Sequence, residues 1–158
     1  MKTRLTVEES ARLIKLGVDP KMASMCMLYF AEGDTSEPIP SWEVWKGCGK
    51  LLCNIFDEVE NVECKIVPID SDYDQSSKEE TPIFTLADIL SILPKEINDY
   101  HLNIEASEQG YEACYTLWDY EVEAYLFMGA TESPELIDAL NQLLMWCLEQ
   151  KIIKQNKD

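Results

Sequence analysis

Basic residues are scarce in this chain. Thirteen Lys plus Arg stand against 30 Asp plus Glu among 158 residues, a formal net charge of −17. A surface that tracks phosphates needs clustered Lys and Arg, so the scarcity argues against direct binding to DNA, RNA or an anionic membrane. Long apolar runs are missing too: no stretch approaches the roughly 18 residues of a membrane span. The start, Met1-Lys2-Thr3-Arg4-Leu5-Thr6-Val7-Glu8-Glu9, meets carboxylates before an apolar signal region forms, so no secretory signal is readable and a cytoplasmic location is expected.

Imidazole is scarcer still, with His101 alone, and no two of the six cysteines have C-x-x-C spacing. That spacing disfavours a Cys/His zinc site. Cys26, Cys48, Cys53, Cys64, Cys114 and Cys147 sit mostly inside apolar runs, where a free thiol behaves as a small hydrophobe. No cofactor motif is complete. Gly47-Cys48-Gly49-Lys50-Leu51 imitates a phosphate loop, but Val44 and Leu51 stand where that loop needs Gly and Ser or Thr. Asp70-x-Asp72-x-Asp74 copies the opening of a calcium loop, yet Gln75 and Thr81 replace its required Gly and Glu.

What is present is an ordinary apolar fraction, 46%, in a length that suits one domain over residues 1–158. Thr6 and Glu9 form a capping box, Ala11, Leu13, Ile14 and Leu16 an apolar face, and Gly17 a stop, which predicts a helix over 7–16. The brief apolar run 25–30 reads as a strand and 31–40 as a loop. From Ser41 onward, Trp45, Cys48, Leu52, Ile55 and Val59 recur at three- and four-residue steps and predict a helix, opposed by Gly47 and Gly49. A hairpin of short strands is the alternative there. Residues 62–69 read as a strand, 70–81 as an exposed acidic loop, and Thr85 as the cap of a short helix over 86–93 that Pro94 stops.

In the last third, Tyr100, Leu102 and Ile104 alternate with His101, Asn103 and Glu105, the pattern of a half-buried strand. Residues 108–110 turn the chain, 111–118 return, and 122–128 form a third strand ending at Gly129. Ser133 and Pro134 open the last helix, with Leu136, Ala139, Leu140, Leu143, Leu144 and Cys147 inward and Lys151 and Lys154 near its end. The expected class is α+β: a small antiparallel sheet, built on this meander plus one or two further strands, packed against a long C-terminal helix.

Three stretches carry a resemblance: Leu5-Thr6 with Leu13-x-x-Leu16-Gly17-Val18-Asp19; Phe84-Thr85-Leu86-x-Asp88-Ile89-Leu90-x-x-Leu93-Pro94-Lys95-Glu96-Ile97; and Leu136-Ile137-Asp138-Ala139-Leu140 with Trp146-Cys147-Leu148-Glu149. Together they resemble small acidic proteins of gut Bacteroides-type bacteria and their phages or other mobile elements, a family that brings no assigned activity. The strand order followed by Gly129-Ala130-Thr131-Glu132-Ser133-Pro134-Glu135-Leu136 is also similar to HicB-type antitoxins, whose β-β-β-α domain masks an RNA-cleaving toxin. The chain departs from that pattern: the strand-two region lacks the glycine- and proline-bearing loop, and no DNA-binding appendage is recognisable in it. Such a likeness speaks for architecture rather than activity.

The expected function is therefore that of a non-enzymatic accessory protein that binds another protein. Trp42 and Trp45 are candidate anchors, because Trp is enriched at binding hot spots, and Asp70, Asp72, Asp74, Glu79 and Glu80 are candidate polar contacts. Two alternatives stand beside it. One is an acidic mimic of nucleic acid, which requires the carboxylates to share one contiguous surface. The other is a thiol enzyme pairing His101 with Cys114 or another of the thiols.

Overall fold

The computed structural model describes residues 1–31, 44–47, 50–53, 62–69 and 82–153. It is an α+β fold with a C-terminal helix packed on an antiparallel sheet. Helix α1 spans Val7–Lys15. The Thr6 hydroxyl accepts the Glu9 N–H at 3.1 Å, and the Glu9 carboxylate accepts the Thr6 N–H at 3.0 Å. These reciprocal bonds satisfy two of the donors that a helix start leaves without partners. Gly17, at φ 115°, follows the C-cap Leu16 as the sequence leads one to expect.

Strand β1 (Met25–Ala31) forms the run predicted for 25–30 and pairs antiparallel with β4 (Val62–Pro68) on one side and β5 (Pro82–Ile83) on the other. Between them in sequence lie β2 (Val44–Gly47) and β3 (Lys50–Cys53), an antiparallel hairpin whose register runs from Val44↔Cys53 to Gly47↔Lys50. This corrects the helix expected from Ser41 onward. The stripe Trp45–Cys48–Leu52 counts residues across a chain reversal, so its spacing does not describe one continuous face. The two-residue separation between Gly47 and Lys50 suits a Gly-containing hairpin, and the glycines that weighed against the helix are what such a reversal favours.

Helix α2 (Leu86–Ile92) has the predicted Thr85 cap, with Asp88 completing a second capping box. The Asp88 carboxylate is buried, and one oxygen accepts from Thr85 N (2.9 Å), Ser24 N (2.9 Å) and Ser24 Oγ (2.8 Å). A single carboxylate thus caps α2 and fastens it to the entry of β1. The N-terminal segment closes the same corner through Leu5 N to Phe84 O at 2.9 Å and Leu86 N to Thr3 O at 3.0 Å.

The rest of the chain builds a four-stranded antiparallel sheet in the order β6 (Glu96–Ile97), β7 (Tyr100–Ser107), β8 (Gly110–Asp119), β9 (Ala124–Ser133). Helix α3 (Leu136–Glu149) returns across β8 and β9. Leu140, Leu143, Leu144, Cys147 and Leu148 are buried with Ala113 and Tyr115 of β8, with Leu5 and Leu13 from the N-terminal segment, and with Phe84 before α2 and Ile89 within it. Tyr115, wholly buried, donates its hydroxyl proton to Pro94 O at 2.8 Å, so the core hides no unpaired phenol.

Three expectations for this region need correction. Strand β9 does not end at Gly129. The register passes from Tyr115↔Met128 to Ala113↔Thr131, so Gly129 and Ala130 face the single residue Cys114 in a β-bulge. Gly129 has φ 70°, and a Cβ there would lie 2.7 Å from the Trp146 ring, so both backbone and packing demand glycine. The last helix begins at Leu136 with Glu135 as N-cap rather than at Pro134, and Ser133 Oγ instead accepts Glu135 N at 3.3 Å. Finally, Ile104 is exposed despite the alternation of β7, because α3 lies over β8 and β9 and leaves the far part of β7 uncovered.

Candidate functional site

Antiparallel strands point alternate side chains to opposite faces, and one helix can cover only one of them. In the four-stranded sheet the residues facing α3 include Leu102, Ala113, Tyr115 and Met128, all part of the core or packed against it. The register then assigns the other face: His101, Asn103 and Glu105 from β7; Glu112, Cys114, Thr116 and Trp118 from β8; Tyr125, Phe127 and Glu132 from β9. Among the described residues no helix or strand packs over it.

Two features of that open face stand out physically. The first is a row of carboxylates. Glu105 pairs with Glu112, and Glu112 pairs with Glu132, so three exposed acids share one line across three strands. Like charges directly opposite each other destabilise a sheet. Among the described residues no Lys or Arg forms a salt bridge with any of the three. A concavity of about 290 Å³ lies beside the row, lined by Asn103, Cys114, Phe127 and Ala130 together with the three acids.

The second feature is aromatic. Trp118, Tyr125 and Phe127 are 38%, 58% and 65% exposed, and the Trp118 ring meets Tyr125 edge-on at 4.9 Å and Tyr120 at 6.4 Å. Geometry explains the exposure. Fourteen helical residues reach about 21 Å, whereas ten strand residues reach about 33 Å. Trp146 packs on Gly129, midway along β9, and the β8–β9 hairpin therefore projects past the end of α3. Leu126 and Val122 are exposed there as well.

The bulge shapes the floor of the concavity. Two residues of β9 oppose Cys114, which is buried at 8% exposure. Burial pushes its thiol up; a hydrogen bond from Asn103 works the other way, and the charges of Glu105 and Glu112 add to the rise. A thiol held in its protonated form is a poor nucleophile. His101 pairs across the strands with Thr116, while Asn103 is the partner of Cys114. The two residues of the postulated dyad are therefore diagonal neighbours on one face, with Asn103 occupying the position a base would need.

Among the described residues no group of three or more His, Cys, Asp or Glu converges to hold a metal ion, and no helix is long and apolar enough to cross a membrane. A second hollow of about 260 Å³ lies between α1 and α3, lined by Glu9, Arg12, Asp138, Asn141 and Gln142. Its acids Glu9 and Asp138 already hold Lys2, at 2.8 and 2.7 Å. The buried amide oxygen of Asn141 has no protein donor, a need that a single water can meet.

Of the residues chosen from sequence as candidate contacts, Trp42, Asp70, Asp72, Asp74, Glu79 and Glu80 lie outside the described residues, as does the predicted loop over 70–81. Trp45 falls on β2 opposite Leu52. The residues that sequence reading passed over are Trp118, Tyr125 and Phe127. A signal for them existed: residues 124–128 are apolar on both strand faces, and the meander has a single helix to cover it. No family model, curated protein or solved structure matches the chain.

Proposed function

We propose that this protein acts by binding another protein through the open face of its four-stranded sheet. The observation that carries the reading is the composition of that face. Exposed Trp118, Tyr125 and Phe127 adjoin a row of three carboxylates that, among the described residues, has no salt bridge to Lys or Arg. Aromatic side chains anchor protein interfaces because they bury large rigid areas at low entropic cost. An acidic row beside them selects Arg or Lys on the partner, speeds encounter and rejects acidic surfaces.

The row also gives the reading an energetic signature. Each opposed like-charge pair costs a few tenths of a kcal/mol, up to about 1. A partner that supplies cations removes that cost. Replacing Glu112, the middle acid, with Gln should raise the stability of the free protein by about 0.5 kcal/mol, less at high salt, while weakening capture of the partner. The acidic-mimic alternative draws little from this face. Glu105, Glu112 and Glu132 are separated from the hairpin-tip acids Asp119, Glu121 and Glu123 by Thr116, Trp118, Tyr125 and Phe127, so no continuous carboxylate stripe runs along it.

A photo-crosslinking amino acid placed at position 127, and in parallel at position 15 on α1, tests the proposal in cells of the native host. One protein recovered through position 127, absent through position 15 and lost with Glu112→Lys, is the expected result. Equal recovery from both positions, or indifference to Glu112→Lys, would count against it.

A further inference from the structure

The open face ends at an open edge. Strand β9 is the last in the order β6-β7-β8-β9, and among the described residues it pairs with β8 alone. In an antiparallel strand alternate residues turn their N–H and C=O groups away from the neighbour. β9 therefore presents a row of backbone donors and acceptors along its outer side. Edges of this kind are normally blunted by Lys, Pro, short length or a bulge. β9 carries neither Lys nor Pro over its ten residues. Its bulge at Gly129–Ala130 divides the edge, leaving residues 124–128 as one regular run. That run, Ala124-Tyr125-Leu126-Phe127-Met128, is apolar on both faces, with Tyr125, Leu126 and Phe127 exposed.

Acids bracket this run. Asp119, Glu121 and Glu123 lie at its hairpin end, and Glu132, in line with Glu112 and Glu105, lies beyond the bulge. A segment paired with the edge would find apolar neighbours in its middle and carboxylates at both ends. A second copy of β9 brings the same acids and is repelled.

We propose that the edge of β9 accepts an extended segment of another protein as a fifth strand, pairing along residues 124–128. The segment is apolar or β-branched over about five residues and carries Lys or Arg at both ends. Main-chain bonds of such strand addition supply affinity, and side-chain complementarity supplies the choice of partner. The inference rests on the proposed protein-binding role of the face and adds how the partner is held. Side-chain docking on Trp118 and Phe127 alone needs no backbone pairing, so the two can fail separately.

The test uses the full chain and four synthetic peptides: a five-residue Val/Thr segment flanked by two Arg at each end, the same peptide N-methylated at one set of alternate amides, the same peptide N-methylated at the other set, and the same peptide with Glu for Arg. Binding is followed by amide NMR shifts and hydrogen exchange. The expected result is binding of the first peptide with at least tenfold slower exchange of alternate amides in 124–128. N-methylation in the register that blocks pairing should weaken binding at least tenfold, and the Glu peptide should not bind. Equal binding of the parent peptide and both N-methyl registers, with shifts at Trp118 and Phe127, would overturn strand addition and leave face docking intact. Absence of binding by any peptide, or protection of the outward β9 amides already present in the free protein, would overturn it too. A concentration-dependent dimer abolished by Phe127→Lys would give the edge to a second copy and equally refute the proposal.

Discussion

Substituting Gly129 with Ala tests the joint at which the sheet, the helix and the concavity meet. Two costs combine. At φ 70° an L-residue sits in the left-handed region, roughly 1–2 kcal/mol above its usual conformation. The new Cβ would also stand 2.7 Å from Trp146 Cε3 and 2.8 Å from Cζ3, well inside ordinary carbon contact. Because Trp146 is partly exposed, its ring can retreat, so the overpacking term belongs near the lower end of the usual range, about 1 kcal/mol. The sum is about 2–3 kcal/mol. With a urea m-value of about 2 kcal/mol/M, the unfolding midpoint should fall by roughly 1–1.5 M. Circular dichroism is the appropriate probe, since replacing Trp146 alters fluorescence directly. Trp146→Leu removes the clash but not the backbone strain. The double variant should therefore be about 1 kcal/mol more stable than the two single losses added together. If Gly129→Ala unfolds within about 0.5 kcal/mol of the native chain, or if the two substitutions are strictly additive, the account of the bulge is wrong.

Three further outcomes can be measured. Asp88→Ala strips one oxygen of its bonds to Ser24 and Thr85 and should cost about 2–4 kcal/mol; Asp88→Asn, which keeps an acceptor, should cost less. Burial disfavours the charges of both Lys2 and Glu9, yet their hydrogen bonds, together with that from Lys2 to Asp138, outweigh it and leave Lys2 raised and Glu9 lowered. Glu9 therefore adds stability above its unfolded value near 4.3 that is lost as pH falls through its lowered folded value, and Lys2 adds stability below about 10.4 that is lost as pH rises through its raised one. Lys2→Met should be about 0.5–1 kcal/mol less stable than the native chain at neutral pH, with the gap closing at both extremes in a urea titration against pH. Native Cys114 should react with iodoacetamide at pH 7 at least tenfold more slowly than a free thiol, and as fast in denaturant. A native rate above that of the free thiol would revive the Cys–His reading.

Local chemistry was readable wherever neighbours in sequence decide it. Thr6 with Glu9 and Thr85 with its following helix are caps whose partners lie within four residues, and both form. The apolar face of α3 follows a 3.6-residue period that needs no knowledge of the partner, and Leu140, Leu143, Leu144 and Cys147 are buried as that period requires. Along 44–53 the helical spacing runs through a reversal, and a period carries meaning only inside one element, so the hairpin alternative holds there. Gly129 reads as a strand end in the sequence because a glycine that stops a strand and one that bulges it look alike along the chain.

By itself, then, the sequence determined the α+β class, the order of the last three strands and final helix, the capping box at Thr6 and the cap at Thr85, and a charge of −17 that disfavours phosphate-tracking surfaces. It could not tell where that charge would stand. Glu105, Glu112 and Glu132 are separated by 7 and 20 positions, and only strand pairing sets them in one line. Nor could it tell which apolar residues would stay uncovered, because Phe127 and Met128 are adjacent and equally hydrophobic. Their fates part because α3 covers one face of the sheet and ends short of the hairpin tip. Exposure depends on what packs against a residue, and that is decided by tertiary structure alone.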